Sequence, residues 1–267
     1  MADVSTARAG LRPKGAASTR GGVLTERDQE WLRWIGRWRA VTAEQVARWF
    51  VPELSSGVKV VERRARVWRE LGLVETRRIL ATTPAVHTLR GPAMTLFGIS
   101  GPVRHPLVGQ LSHDLAVVDL AIWLRQRDRS LKFLTEREIR ATDDPNTDTP
   151  LLAVKAAEGS GRKLVFPDLI SITVRADGSG AATAHEVELT SKDHPRMVAL
   201  MTSYVVSEGI VAAHYYAAPP LRRRITKAAA EVNGWAKSAG AVGVPITVSG
   251  WDWLTPEGQS TRTGVEE

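Results

Sequence analysis

The 267-residue chain contains no cysteine. That absence excludes a disulfide framework, a thiolate zinc site and a cysteine nucleophile, and it predicts a reducing, cytoplasmic setting. No run of about 18 apolar residues occurs, so a membrane-spanning helix is excluded and a soluble protein without a membrane partner is expected. The stretch Met1 to Gly22 has no apolar centre and does not read as a signal peptide. The six histidines show neither H-x-H nor H-x-x-x-H spacing, which argues against zinc. The G-x-x-x-x-G-K-[ST] phosphate loop and the G-x-S-x-G nucleophile elbow are also missing.

What is present is a foldable composition, 43% hydrophobic and 24% charged, with an uneven charge. Residues 1–105 hold 18 Lys and Arg against 9 Asp and Glu, whereas residues 106–267 hold 18 against 20. A basic first part joined to a slightly acidic second part predicts a nucleic-acid reader tethered to something else.

Residues 1–22, rich in Ala, Gly, Ser, Thr and Arg, read as a disordered basic arm. Thr25 caps a helix over 26–38, in which Trp31, Trp34, Ile35 and Trp38 recur at core spacing rather than as base-stacking groups. Thr42 and Gln45 form a capping box for a second helix that stops before Pro52. A third helix is expected over 58–71, with Val60, Val61, Ala65, Val67, Trp68 and Leu71 inward and Gly72 as its stop. Strands over 73–79 and 85–90 follow. Three helices and a hairpin make a winged helix-turn-helix over 23–100, whose third helix enters the major groove of double-stranded DNA. Arg63, Arg64, Arg66 and Arg69 would read bases or clamp phosphates, and Arg77 and Arg78 would be wing contacts. A solvated helix face is the alternative.

Gly91 to Pro106 reads as a connector. Ser112 is expected to cap a helix over 113–127, followed by a strand over 131–139 and an exposed polar loop over 142–162. Strands over 164–174 and 182–191 flank the turn at 176–180; a helix at 195–207, a strand at 210–217, a helix at 220–238 and a strand at 245–251 complete a mixed sheet covered on both faces. Residues 255–267 read as a flexible tail. Arg222, Arg223 and Arg224 are either a phosphate contact or a solvated charge run.

The chemistry lies on the hairpin. A turn centred near Gly178 pairs residues whose numbers sum to about 354–356, which sets Asp168 opposite Glu186 or Glu188. Alternation puts Asp168, Glu186, Glu188 and Lys192 on one face. Opposed carboxylates with Cβ atoms about 4.5–5.5 Å apart repel, so a divalent cation, a raised pKa or Lys192 must offset them. Such a cluster suits Mg²⁺ or Mn²⁺, with Asp168 and Glu186 as ligands. An exposed edge strand would look identical. His113 is expected either in a ligand or phosphate role or as a helix-start hydrogen bond, and Asp114 or Asp119 could add an acid.

Pro167-Asp168 followed by Glu186-Val187-Glu188, behind a helix, resembles the PD-(D/E)XK nuclease core. The resemblance implies that Asp168 and Glu186 hold the metal and that the residue at Glu188 handles water. That residue is a lysine in the pattern, a place where some restriction endonucleases also carry Glu; Lys192 could substitute. The chain as a whole, from Leu24-Thr25-Glu26-Arg27-Asp28 through Ser112-His113-Asp114-Leu115 to Lys192 and Tyr204, is similar to the replication-relaxation family of plasmids, phages and integrative elements. The resemblance implies an α+β protein of two domains, the second a PD-(D/E)XK-like α/β unit over 107–254. Two functions stay open: a Mg²⁺- or Mn²⁺-dependent DNA nickase or endonuclease, and a non-catalytic regulator or replication accessory factor whose nuclease-like unit dimerises. A homodimer working with other replication or mobilisation proteins is expected on either reading.

Overall fold

The computed structural model describes residues 24–250 except 80, 82, 102–105, 145, 159, 161–162, 175–177 and 241–243. The expected arm at 1–22, the tail at 255–267, Trp251 and the centre of the expected turn at 176–177 lie outside the described residues.

The described chain opens with α1 (Glu26–Arg37), β1 (Val41–Thr42), α2 (Ala43–Phe50) and α3 (Gly57–Glu70). The caps explain the boundaries of the first two helices. Thr25 and Asp28 form one reciprocal capping box and Thr42 and Gln45 another, so the free amides at each helix start are satisfied locally. Gly72 adopts φ +72°, a left-handed conformation that glycine tolerates, and the Leu73 amide then bonds the Trp68 carbonyl at 2.9 Å. β2 (Val74–Arg77) and β3 (Val86–Leu89) follow, and the three short strands form an antiparallel sheet in the order β1-β3-β2. Trp31, Trp34 and Trp38 are buried, as the helical stripe predicts. Trp31 stacks on Phe50 at 5.4 Å and meets the Trp68 ring edge-on at 6.1 Å. Leu71, expected inward, is exposed, because α3 ends at Glu70 and the chain turns there.

Four further expectations are corrected. The connector contains a helix, α4 (Gly91–Leu96), started by Pro92 in its first turn. Ser112 does not cap α5 (Leu111–Arg127), because a 3₁₀ turn at Val108–Gln110 leads directly into the helix. The strand expected over 131–139 is β4 (Lys132–Thr135) followed by α6 (Glu136–Thr142): Thr135 and Glu138 form a third capping box, which ends the strand and starts a helix. The polar loop after it is not wholly exposed. Asp143 is buried and accepts the amides of Leu151, Leu152 and Ala153, and β5 (Val154–Lys155) pairs with β6 (Leu164–Val165).

β6 ends before Pro167, so the expected strand over 164–174 is broken, and pairing resumes in β7 (Leu169–Val174). Then come β8 (Gly180–Glu188), α7 (His194–Val205), β9 (Ala212–Ala217), α8 (Pro219–Ser238) and β10 (Ile246–Gly250). The main sheet has the order β10-β9-β8-β7-β4; β4, β7 and β8 are antiparallel neighbours, and β8, β9 and β10 run parallel. The protein is therefore mixed α/β, with eight α-helices and a mixed five-stranded sheet among the described residues. No described helix is long and apolar enough to cross a membrane.

Side-chain alternation gives each sheet face its own core. Ile170, Ala184 and Tyr215 pack with Leu200, Tyr204, Ala228 and Val232 of α7 and α8. Leu169, Val187 and Tyr216 lie on the opposite face, in a core that also takes in α5 and the tryptophans of α1 and α3. The first helices are thus packed onto the sheet layer. Trp49 meets Phe133 at 6.1 Å, Arg125 lies over Trp49 at 4.1 Å, Gln45 donates to the Leu115 carbonyl and Arg48 pairs with Asp119 at 2.8 Å.

Candidate functional site

The β7–β8 ladder runs from Leu169↔His185 to Val174↔Gly180, a constant sum of 354, so one step further sets Asp168 level with Glu186. The expected register is correct. Glu186 and Glu188 alternate with buried Val187 at the end of β8, and parallel pairing sets Tyr215 beside Glu186. Asp168, Glu186, Glu188 and Lys192 line one cleft of about 610 Å³, together with His113. Lys192 gets there from beyond the strand, since β8 stops at Glu188.

Each carboxylate has a partner that limits the repulsion. Asp168 Oδ2 accepts the Val187 amide at 2.9 Å and bonds His113 Nε2 at 3.0 Å. Glu186 Oε1 accepts the Tyr204 hydroxyl, and Glu188 Oε1 accepts the Lys192 ammonium. Burial alone would raise the Asp168 pKa, but the His113 hydrogen bond and charge, with the Val187 amide, outweigh it and hold Asp168 below the ordinary range. Glu186 goes the other way: burial, then the Asp168 charge, push it well above the ordinary range despite the Tyr204 bond. Glu188 is raised by burial, which Lys192 partly offsets. Burial opposes the charge on His113, yet the neighbouring carboxylates of Asp114 and Asp168, the latter hydrogen-bonded to it, raise its pKa to about 10. Asp168 and His113 thus favour each other's charged forms, Glu188 is paired with Lys192, and burial with the Asp168 charge favours the protonated form of Glu186, which accepts the Tyr204 hydroxyl.

The accessory acids separate. Asp114 points toward this region: its Oδ1 is 3.4 Å from Arg39 Nη1 and 3.9 Å from His113 Nδ1, and its buried Oδ2 has no hydrogen-bond partner among the described residues. Asp119 faces α2 and pairs with Arg48, outside the cleft. Among the described residues, no group of three or more His, Asp or Glu side chains is arranged to hold a metal ion. Asp168 Oδ1, Glu186 Oε2 and Glu188 Oε2 carry no hydrogen bond from any described residue, so each carboxylate of the cleft keeps one oxygen that could take a cation. A small hard cation needs only one or two carboxylates and keeps several waters.

On α3, Arg63, Arg66 and Arg69 are exposed. Arg64 is not available in the same way, since it is bonded by buried Asp28. Arg77 is exposed and paired with Glu75, and Arg78 is exposed near the Ala81 carbonyl. Of the α8 cluster, Arg222 and Arg223 are exposed, whereas Arg224 bonds the Ser191 hydroxyl and the Lys192 carbonyl.

Sequence reasoning missed Arg39, Glu136 and Arg140, which also line the cleft. Glu136 joins them, with Oε2 on Arg39 at 2.8 Å and Oε1 on Arg140 at 2.7 Å. The i,i+4 spacing of Glu136 and Arg140 was a usable signal once Thr135 was read as a cap. Comparison with family models, with curated proteins and with solved structures finds no match to this chain.

Proposed function

We propose that the chain is a DNA-binding protein of a plasmid, phage or integrative element, of the replication-relaxation type, acting in replication or mobilisation. On this reading residues up to β3 are a winged helix-turn-helix that docks α3 on double-stranded DNA, and the main sheet is a PD-(D/E)XK-like nuclease unit. The convergence of Asp168, Glu186, Glu188 and Lys192 in one cleft carries the proposal. Three helices followed by the β2–β3 hairpin support the winged-helix reading, as does the outward placement of Arg63, Arg66 and Arg69.

Asp168 and Glu186 would hold Mg²⁺ or Mn²⁺, which when bound supplies an acidified water and offsets charge on a phosphodiester. A bound cation would favour the charged form of Glu186, against the burial that disfavours it. Glu188, standing where the resemblance expects lysine, brings the Lys192 ammonium to the carboxylate pair, and together they would orient the attacking water. His113 fixes Asp168 from α5.

A second reading is favoured by the pairing itself: His113 and Lys192 neutralise two acids without an ion, as in a non-catalytic regulator or accessory factor. A supercoiled plasmid carrying the chain's own upstream DNA separates the two. Relaxed or linear product with Mn²⁺ from wild type, absent with Asp168→Ala, supports the nuclease. Binding without any change in topology, with either metal, supports the regulator.

A further inference from the structure

We propose that Arg140 is the phosphate anchor of the cleft, holding one phosphodiester of the bound DNA strand beside Asp168. The inference rests on the DNA-binding reading above and names the group that grips the strand.

Arg140 stands at the end of α6, a helix absent from the expected topology, and its side chain is immobilised on two sides. Its Nε donates to Glu136 Oε1 at 2.7 Å, and its guanidinium lies over the Phe166 ring at 4.0 Å. The Nη1 and Nη2 groups have no hydrogen-bond partner among the described residues, and the side chain is 30% exposed. A planar fork fixed at its base, with both terminal nitrogens free, matches the paired oxygens of a phosphate. Holding it in place beforehand lowers the ordering cost of binding.

The other cations at the cleft are committed. Arg39 spends its Nη groups on Gln110, Asp114 and Glu136, Lys192 bonds Glu188, and His113 bonds Asp168. Arg140 also lines a second, narrower cavity of about 120 Å³, shared with His113 and Asp168. A phosphate on its fork would therefore share a cavity with Asp168. The main cleft, about 610 Å³, has room for more than a single anion.

The test is fluorescence anisotropy of the full chain on duplex DNA from its own upstream region, over a series of chloride concentrations. Arg140→Gln should weaken binding several-fold and make the slope of log K against log salt shallower by about 0.9, the loss of one phosphate contact. Arg140→Lys should keep the slope and lose part of the affinity, and Phe166→Leu should fall between. An Arg140→Gln protein with wild-type affinity and slope overturns the proposal. If circular dichroism shows that Arg140→Gln does not fold, Arg140→Lys and Phe166→Leu decide, and wild-type binding by both overturns it. Inorganic phosphate that erases the difference between wild type and variant, at an ionic strength where chloride does not, assigns the anchor to a free anion and also overturns it. A wild-type protein that binds no DNA defeats the DNA-binding reading itself, and the anchor with it.

Discussion

The Arg64 guanidinium grips the buried carboxylate of Asp28 with two bonds, Nε to Oδ1 at 2.7 Å and Nη2 to Oδ2 at 2.5 Å. The same carboxylate accepts Thr25 and the Trp68 indole N–H. Asp28 is 1% exposed, so it depends on these donors for its charge. Arg64 is therefore a tie between α1 and α3, while its neighbours Arg63 and Arg66 face out.

This divides the arginines of α3 by experiment. Arg64→Ala should cost on the order of 3 kcal/mol of folding stability by stranding a buried charge, read from urea denaturation. Arg63→Ala and Arg66→Ala should leave the denaturation midpoint unchanged and weaken DNA binding by about 1–3 kcal/mol each. Wild-type stability in Arg64→Ala would contradict the tie, and wild-type DNA affinity in both other variants would remove α3 as the reader.

Metal loading has its own signature. Millimolar Mn²⁺ should raise the melting temperature of wild type, because a ligand bound only to the folded state stabilises it by mass action. Asp168→Ala should show no such rise. Equal shifts in the two proteins would place the ion elsewhere.

The pH dependence of stability follows from three histidines. His87 is buried beside Thr76, and burial with the Arg69 charge lowers its pKa to about 4. His185, between Ser171 and Tyr216, is lowered to about 3 by burial and His214. An unfolded histidine titrates at about 6.5, so below that pH the unfolded chain takes up protons that these two refuse in the fold. Stability should fall between about pH 6.5 and pH 3, and His87→Phe should flatten part of that slope. His113 acts in the opposite sense. With its pKa raised to about 10, its contribution is full below about pH 6.5 and gone above about pH 10. Urea midpoints across pH 4.5–9.5, in wild type, His87→Phe and His113→Gln, check both signs; a flat acid limb in wild type contradicts the first.

Asp143 pins the segment that follows α6 by accepting three backbone amides. Asp143→Ala should strand those donors at about 1–3 kcal/mol for each that stays buried. Limited proteolysis should then cut within 144–153 faster than in wild type. An unchanged digestion pattern would mean that β5 and β6 hold the segment unaided.

The sequence by itself determined what depends on near neighbours along the chain. The Thr25 and Thr42 caps, the tryptophan stripe of α1, the Gly72 stop and the hairpin register that levels Asp168 with Glu186 all rest on spacings of a few residues or on one turn. Its failures had local causes too: the Thr135–Glu138 box was present but was overridden by an apolar run that read as strand. Tertiary structure alone decided which charges distant along the chain meet. Asp28 finds Arg64 across 36 residues, His113 finds Asp168 across 55, and Arg37 finds Glu138 across 101. Such pairs have no periodic trace, because they are set by how helices pack on a sheet. For the same reason only the fold separates the tying Arg64 from the outward Arg63, and the committed Arg39 from the open fork of Arg140.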